Sequence, residues 1–270
     1  MADETIDGNA LRGVSETTLW TLRNRAVEAL RPDRVLDDPW AVRLYRAIAY
    51  DYDRFGRPGQ AHALRALAVD RAVRTYARTH PRATVVALGE GLQTGYWRIA
   101  DPDLRWVSVD LPPVMELRDR LLPREPAVTA HRGSALDLGW AEGIDPERGV
   151  FITAEGLLMY FTEREVLALL EACAERFPGG ALIFDSIPGW FRDRTLKGLR
   201  LSDRYVAPEM PYSLTVSAAA RLAELVPGVR SVRDVMLPPG RGPWRNPLLR
   251  ALGNAPGVRD LRPSITLLSF

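Results

Sequence analysis

Apolar residues recur with two different periods along the chain, and the change falls near Pro81. Before it the spacing is helical. In TLWTLRNRAVEAL, Leu19, Leu22, Ala26 and Leu30 repeat every three or four positions. That predicts a helix over 18–30 with Ser15 or Thr17 as its cap. Pro32 ends it, and Asp38-Pro39-Trp40 opens a second helix with proline at an early position where its missing N–H does no harm. A third helix runs from about Gln60 to Arg78 and stops ahead of Pro81.

Beyond Pro81 short apolar runs alternate with helical stretches: TVVAL (84–88), RWVSV (105–109), AVTAH (127–131), VFITA (150–154) and ALIFD (181–185). The clearest intervening helix spans Thr162 to Arg176, where Thr162 and Glu165 have the spacing of a capping box. Two further strands are expected near VRSVRDVML and at the terminal SITLLSF. Apolar strands separated by helices imply an α/β fold, a Rossmann-like sheet of seven mostly parallel strands with helices on both faces. Residues 1–270 read as one domain: a helical cap over 1–80, then a core over 81–270 with an irregular insertion at about 186–212.

Composition narrows the function classes. The formal charge is +2, and basic and acidic residues are interleaved rather than gathered in a stripe, so no nucleic-acid partner is expected. No run approaches the roughly 20 apolar residues that span a bilayer, and MADETIDGNA has no signal-peptide pattern. With Cys173 the only cysteine, an internal disulfide is impossible. A cytoplasmic enzyme without metal or membrane partner is the expectation. The oligomeric state is not legible.

The candidate chemistry lies where the first strand ends. Gly89 and Gly91 in Leu88-Gly89-Glu90-Gly91 let the backbone turn sharply at the carboxyl edge of a parallel sheet, where such folds bind cofactors. Asp110 closes the second strand 19 residues after Gly91. A carboxylate there either accepts both hydroxyls of a ribose or caps the following helix. Gly89, Gly91 and Gly95 miss the Gly-x-Gly-x-x-Gly spacing by one residue, and Glu90 sets a negative charge where a pyrophosphate would sit. No Tyr-x-x-x-Lys pair exists for hydride transfer. These features favour S-adenosylmethionine over a dinucleotide.

VVALGEGLQTGYWRI, WVSVDLPPVMELRDRLLP, SALDLGW and AEGLLMYF, in that order, resemble the successive motifs of the leucine carboxyl methyltransferase family, in its bacterial branch of polyketide carboxyl methyltransferases. RNRAVEA, LDDPWAV and ALRALAVD are similar to that family's leading helices. The resemblance implies a class I methyltransferase fold and a donor, S-adenosylmethionine, that leaves as S-adenosylhomocysteine. It implies that Gly89, Glu90 and Gly91 border the methionine portion, and that Asp110, with Leu111 beside it, holds the ribose. Ser134, Ala135, Leu136 and Asp137 would frame the adenine. Glu155, followed by Gly156, would face the ammonium group, and Arg65 would reach the carboxylate. The sequence departs from the family's pattern at Gln93-Thr94-Gly95, where members commonly carry an acid, then Thr and often Arg.

The acceptor side is less defined. His62 lies one helical turn before Arg65 and either approaches the methyl acceptor or is a surface histidine. Tyr160, Trp190, Phe191 and Tyr205 are either an aromatic wall for a flat acceptor or core packing. Arg23 and Arg25 are candidates to orient an acid. A carboxylate is already ionised at neutral pH and needs no base, whereas a phenol would call on one, with His62 and Tyr160 as candidates. The absence of a base from any recognisable motif favours carboxyl O-methylation of a small molecule such as a secondary metabolite. A phenol or RNA-base methyltransferase, a cofactor-binding protein that transfers nothing, and a nicotinamide oxidoreductase remain alternatives.

Overall fold

The computed structural model describes residues 5–270. Seven strands form its central sheet: β1 (Thr84–Leu88), β2 (Arg105–Asp110), β3 (Val128–Arg132), β4 (Val150–Ala154), β5 (Ala181–Ser186), β6 (Ser231–Asp234) and β7 (Ser264–Ser269). Their order is β3-β2-β1-β4-β5-β7-β6. The first five are parallel, and β7 runs antiparallel between β5 and β6. Every residue of β1 and β4 is buried, as expected of strands covered on both faces. The order reverses direction beside β1, so a crevice opens outside the carboxyl ends of β1, β2 and β4.

The helices are α1 (Thr17–Ala29), α2 (Pro39–Ala47), α3 (Ala61–Ala77), α4 (Gly95–Ile99), α5 (Pro112–Leu121), α6 (Glu163–Arg176), α7 (Gly189–Leu196), α8 (Val216–Ala219), α9 (Leu222–Leu225) and α10 (Pro247–Gly253). Local chemistry sets several boundaries. Asp38 caps α2 through Ala41 N–H, and Thr162 with Glu165 closes a capping box on α6. The start of α1 differs from the expectation: neither Ser15 nor Thr17 caps it, and the Thr17 hydroxyl instead donates to Val14 O. Among the described residues no helix is long and apolar enough to cross a membrane.

The cap is fastened to the core in two ways. Leu19, Leu22 and Ala26 of α1 pack with Ala41 and Leu44 of α2 against Leu92 of the glycine loop. Each fully buried leucine contributes about 1.5–3 kcal/mol. Deeper lies an ion network in which Arg25 of α1 pairs with Asp38 at 2.6 Å, and Arg98 of α4 joins Asp38 at 3.1 Å to Asp70 of α3 at 2.9 Å. Arg25 also donates to Leu92 O, so the network ends on the loop that borders the crevice.

Two excursions complete the fold. Residues 186–212, expected to be irregular, carry α7 and a short antiparallel pair, Arg200–Ser202 with Tyr205–Val206. Residues 235–263, between β6 and β7, carry α10 and two single turns of 3-10 helix. This second excursion has no apolar periodicity that would announce it.

Candidate active site

The turn after β1 owes its shape to two glycines. Gly89 and Gly91 have φ of +56° and +58°, the left-handed region that other residues enter only with strain. A Cβ on Gly91 would collide with Thr18 Oγ1 of the cap, and one on Gly89 would meet Leu157 at 2.7 Å. The Thr18 hydroxyl in turn accepts Leu92 N–H at 2.7 Å. Asp110, at the end of β2, braces the same turn: Oδ2 accepts Gly91 N–H at 2.6 Å and Oδ1 accepts Leu111 N–H at 2.7 Å. Burial raises its carboxyl above the usual aspartate value against the lowering pull of those amides.

These residues border a chamber of about 270 Å³, together with Thr17, Gly133, Ser134, Ala135, Gly156 and Tyr160. Leu111 lines it as well. Of the four residues expected to frame an adenine, Ser134 and Ala135 do line it. Leu136 packs against the hydrophobic core, and Asp137 faces solvent, its Oδ1 accepting Gly139 N–H at 3.3 Å. Both fall outside this wall because the chain turns away after Ala135.

Glu90 lines the same chamber, and its carboxylate is also engaged within the protein: Oε1 accepts Trp106 Nε1–H at 3.0 Å, and Oε2 pairs with Arg118 of α5 at 2.8 Å. Arg118 also donates to Gly91 O and Gln93 O, so the pair is an internal brace beneath the loop. Burial raises the Glu90 carboxyl and Arg118 lowers it, the net being upward.

The far wall is charged. Arg65 of α3 donates through Nε to Glu155 Oε2 at 3.2 Å and through Nη1 to Asp185 Oδ2 at 2.9 Å. Asp185 Oδ1 accepts Gly156 N–H at 2.6 Å. Gly156 has φ +65°, and a Cβ there would press on the Arg65 guanidinium. Gln93 donates to Glu155 at 3.2 Å and leaves its Oε1 buried without a partner among the described residues. Two carboxylates against one guanidinium, with an unpartnered amide oxygen nearby, suit a cationic group. Asp185 escaped the sequence reading although it ends strand ALIFD. Its signal was its place at the carboxyl edge of β5, beside Glu155 at the end of β4.

A second chamber of about 700 Å³ adjoins the first, and the two share Thr17, Thr21, Arg65, Gly156 and Tyr160. Its walls are largely apolar and aromatic: Trp20 and Phe55 from the cap, Phe191 and Met210 from the first excursion, Met236 and Trp244 from the second. His62 lines it too. Burial first, then Arg65 and Arg25, hold its imidazolium pKa well below the usual histidine value. Tyr160 keeps its hydroxyl proton, burial raising its pKa.

Four acceptor-side candidates stand elsewhere. Arg23, itself buried, pairs with Asp53 at 2.9 Å and donates to Gly56 O at 2.5 Å, and Arg25 is consumed by the cap network. Neither reaches the chamber because each finds an oxygen nearer its own helix. Trp190 is 46% exposed, its Nε1–H donating to Leu261 O, so only Phe191 of that pair lines the wall. Tyr205 is buried against Phe55 rather than facing the chamber. The arginines on the chamber wall besides Arg65 are Arg57, Arg250 and Arg262.

Comparison with known proteins gives the family. The family model described as leucine carboxyl methyltransferase matches residues 18–174. The tetracenomycin polyketide synthesis O-methyltransferase TcmP of Streptomyces glaucescens is 31% identical over 224 residues, 82% of this chain and 82% of that protein. A protein of Saccharopolyspora erythraea named as a putative S-adenosyl-L-methionine-dependent methyltransferase is 33% identical, over 65% of this chain and 68% of its own. Among solved structures, the S-adenosylmethionine-dependent methyltransferase SibL superposes over 95% of this chain and 69% of its own with a TM-score of 0.50. At 15% identity that likeness speaks for the fold alone. The chain therefore belongs to the leucine carboxyl methyltransferase family and is an S-adenosylmethionine-dependent methyltransferase.

Proposed function

We propose that the chain, cap and excursions included, acts as one unit that methylates a carboxylate oxygen of a largely apolar, ring-bearing small molecule. The observation that carries this reading is the meeting of two chambers at Thr17, Thr21, Arg65, Gly156 and Tyr160. One has the positive-φ glycines, Asp110 and Glu155. The other is more than twice as large and mostly apolar.

In the smaller chamber the glycine turn would lie along the methionine portion, Asp110 would accept the ribose hydroxyls, and Ser134 and Ala135 would border the adenine. Glu155 and the unpartnered Gln93 Oε1 would face the ammonium group, while Asp185, on the wall of the larger chamber, holds the other side of Arg65. When bound, the cofactor supplies a methyl group activated by sulfonium charge. What remains for the protein is to hold an acceptor oxygen in line and keep water out, which alone can lower a barrier by about 7–11 kcal/mol.

The carboxylate preference is supported by the state of the groups at the junction. Glu155 and Asp185 are tied to Arg65, Tyr160 keeps its proton, and His62 has a depressed pKa. For a phenol the acids are already paired and His62 would be only a weak base, whereas a carboxylate needs no proton drawn. The relative named for tetracenomycin polyketide synthesis makes a polyketide-derived acid the first class to try.

The test is calorimetric titration with S-adenosylmethionine and S-adenosylhomocysteine, followed by mass-spectrometric assay of aryl acids and matched phenols. Methyl esters formed from the acids are the expected product. Methyl ethers formed in their place would move the assignment to hydroxyl methylation.

A further inference from the structure

His62 and Asn24 are joined across α3 and α1. Asn24 Nδ2 stands 2.7 Å from His62 Nδ1, and Asn24 Oδ1 accepts the backbone N–H of Gly59 at 3.3 Å. The second bond fixes the direction of the first. With the amide turned over, its NH₂ would face the Gly59 N–H, donor against donor. Asn24 therefore donates and Nδ1 accepts. A neutral imidazole carries one proton, and that proton is left on Nε2. Trp20 braces the ring edge-on, with centroids 5.1 Å apart and planes at 87°. Both Asn24 and His62 line the larger chamber, and His62 is one helical turn from Arg65 at the junction.

We propose that Asn24 locks His62 as a neutral Nε2–H donor that binds one oxygen of the acceptor's carboxylate, so that the pair selects an already ionised acid over a phenol. The inference rests on the carboxylate reading above and assigns the residues that enforce it. A general base must turn a lone pair toward the acceptor, and the only lone pair of this ring is spent on Asn24. The charged groups around it keep the ring neutral. Arg65 on its own helix and Arg25 on α1 oppose a positive charge, and Arg57 and Arg250 stand on the same chamber wall. The acids of β4 and β5, Glu155 and Asp185, are already paired with Arg65. In the transfer, the second carboxylate oxygen supplies the electron pair of the new O–CH₃ bond while sulfur keeps the pair of the broken C–S bond. No proton moves.

Long-range ¹H–¹⁵N correlation spectra of the S-adenosylhomocysteine complex read the tautomer without any acceptor, His62 being assigned by its loss in His62→Gln. A pyrrole-type Nε2 and a pyridine-type Nδ1 are expected, and the opposite pattern overturns the proposal. Calorimetry of 2-naphthoate and 2-naphthol on the same complex reads selectivity. His62→Phe weakens naphthoate about tenfold, equivalent to about 1.4 kcal/mol, and leaves naphthol unchanged. His62→Gln, which keeps an N–H, restores most of the loss. Equal effects on both probes, no effect on naphthoate, or no naphthoate binding to the wild-type complex overturns it.

Asn24→Asp would accept from Nδ1–H and free the Nε2 lone pair. The ratio of naphthol to naphthoate methylation then rises about tenfold or more, with a new acid limb in the pH profile, and an unchanged ratio in a folded variant overturns the proposal. A protein that binds S-adenosylhomocysteine but holds the other tautomer fails this inference alone. One that binds neither form of the cofactor fails the functional reading beneath it.

Discussion

Arg118 and Glu90 face each other at 2.8 Å beneath the glycine loop, and Arg118 spends its other nitrogen on the carbonyls of Gly91 and Gln93. The ion pair braces the glycine turn, with Glu90 also on the wall of the smaller chamber. Glu90→Ala leaves a buried guanidinium unpaired, and stability should fall by about 3–5 kcal/mol, read by urea unfolding. Glu90→Gln keeps an acceptor for the Trp106 indole and should lose less. Equal stability of the two variants would show that the charge, which both lack, carries the whole effect and the acceptor for Trp106 none.

Asp110 can accept ribose hydroxyls only as a carboxylate, and burial raises its pKa above the ordinary 3.8. Cofactor affinity should therefore be flat near neutrality and fall as pH drops through that raised value. Asp110→Ala should bind S-adenosylhomocysteine at least about tenfold more weakly, a loss of about 1.4 kcal/mol or more, without the acid limb. Calorimetry across a pH series gives both quantities. An acid limb that persists in the variant would assign it to another group.

Gly91→Ala tests the turn itself. A side chain at φ +58° costs about 1–2 kcal/mol, and its Cβ also strikes Thr18 Oγ1, which holds Leu92 N–H. Both the melting temperature and cofactor affinity should drop, because α1 and the loop cannot both keep their places. Loss of affinity with unchanged stability would mean that the loop yields and α1 does not.

Trp244 lines the larger chamber from the second excursion and is 44% exposed, so it can be removed without opening the core. Trp244→Ala should raise the acceptor's KM while leaving S-adenosylmethionine affinity and the melting temperature near the wild-type values. A parallel loss of cofactor binding would show that the two chambers are not separately walled.

Asp38 predicts an acid effect with a definite sign. Burial raises its pKa, but Arg25 and Arg98 outweigh burial and leave it below the ordinary value. A carboxyl with a depressed folded-state pKa contributes stability that is fully present above the unfolded value, about 3.9, and is lost as pH falls through the folded one. The stability gap between wild type and Asp38→Asn should be widest above about pH 4 and narrow below it. Denaturant titrations at several pH values measure that gap.

What the sequence disclosed was mostly what neighbouring residues decide. Thr162 and Glu165 cap α6 three positions apart, Asp38-Pro39 starts α2, and the buried runs TVVAL and VFITA lie where their apolarity puts them. The turn at Gly89 and Gly91, and Asp110 opposite it, could be read because the conformation demands those residue types. The ion pair of Glu90 was not legible because its partner, Arg118, lies 28 positions on, and nothing in Gly-Glu-Gly announces it. Arg23 misled, since Asp53 comes from a loop whose path only the fold sets. The wall formed by Met236 and Trp244 left no trace because residues 235–263 have no period to follow.

Arg65 stands in the wall of both chambers, its guanidinium held between the acids that end β4 and β5. Under the proposed assignment of the chambers, donor and acceptor share a neighbour, and thermodynamic linkage makes any coupling through it symmetric. By whatever factor an acceptor tightens the hold on the cofactor, the cofactor tightens the hold on that acceptor. An inhibitor built for the apolar chamber would therefore favour cofactor-loaded over empty protein by the same factor by which it changes the hold on the cofactor.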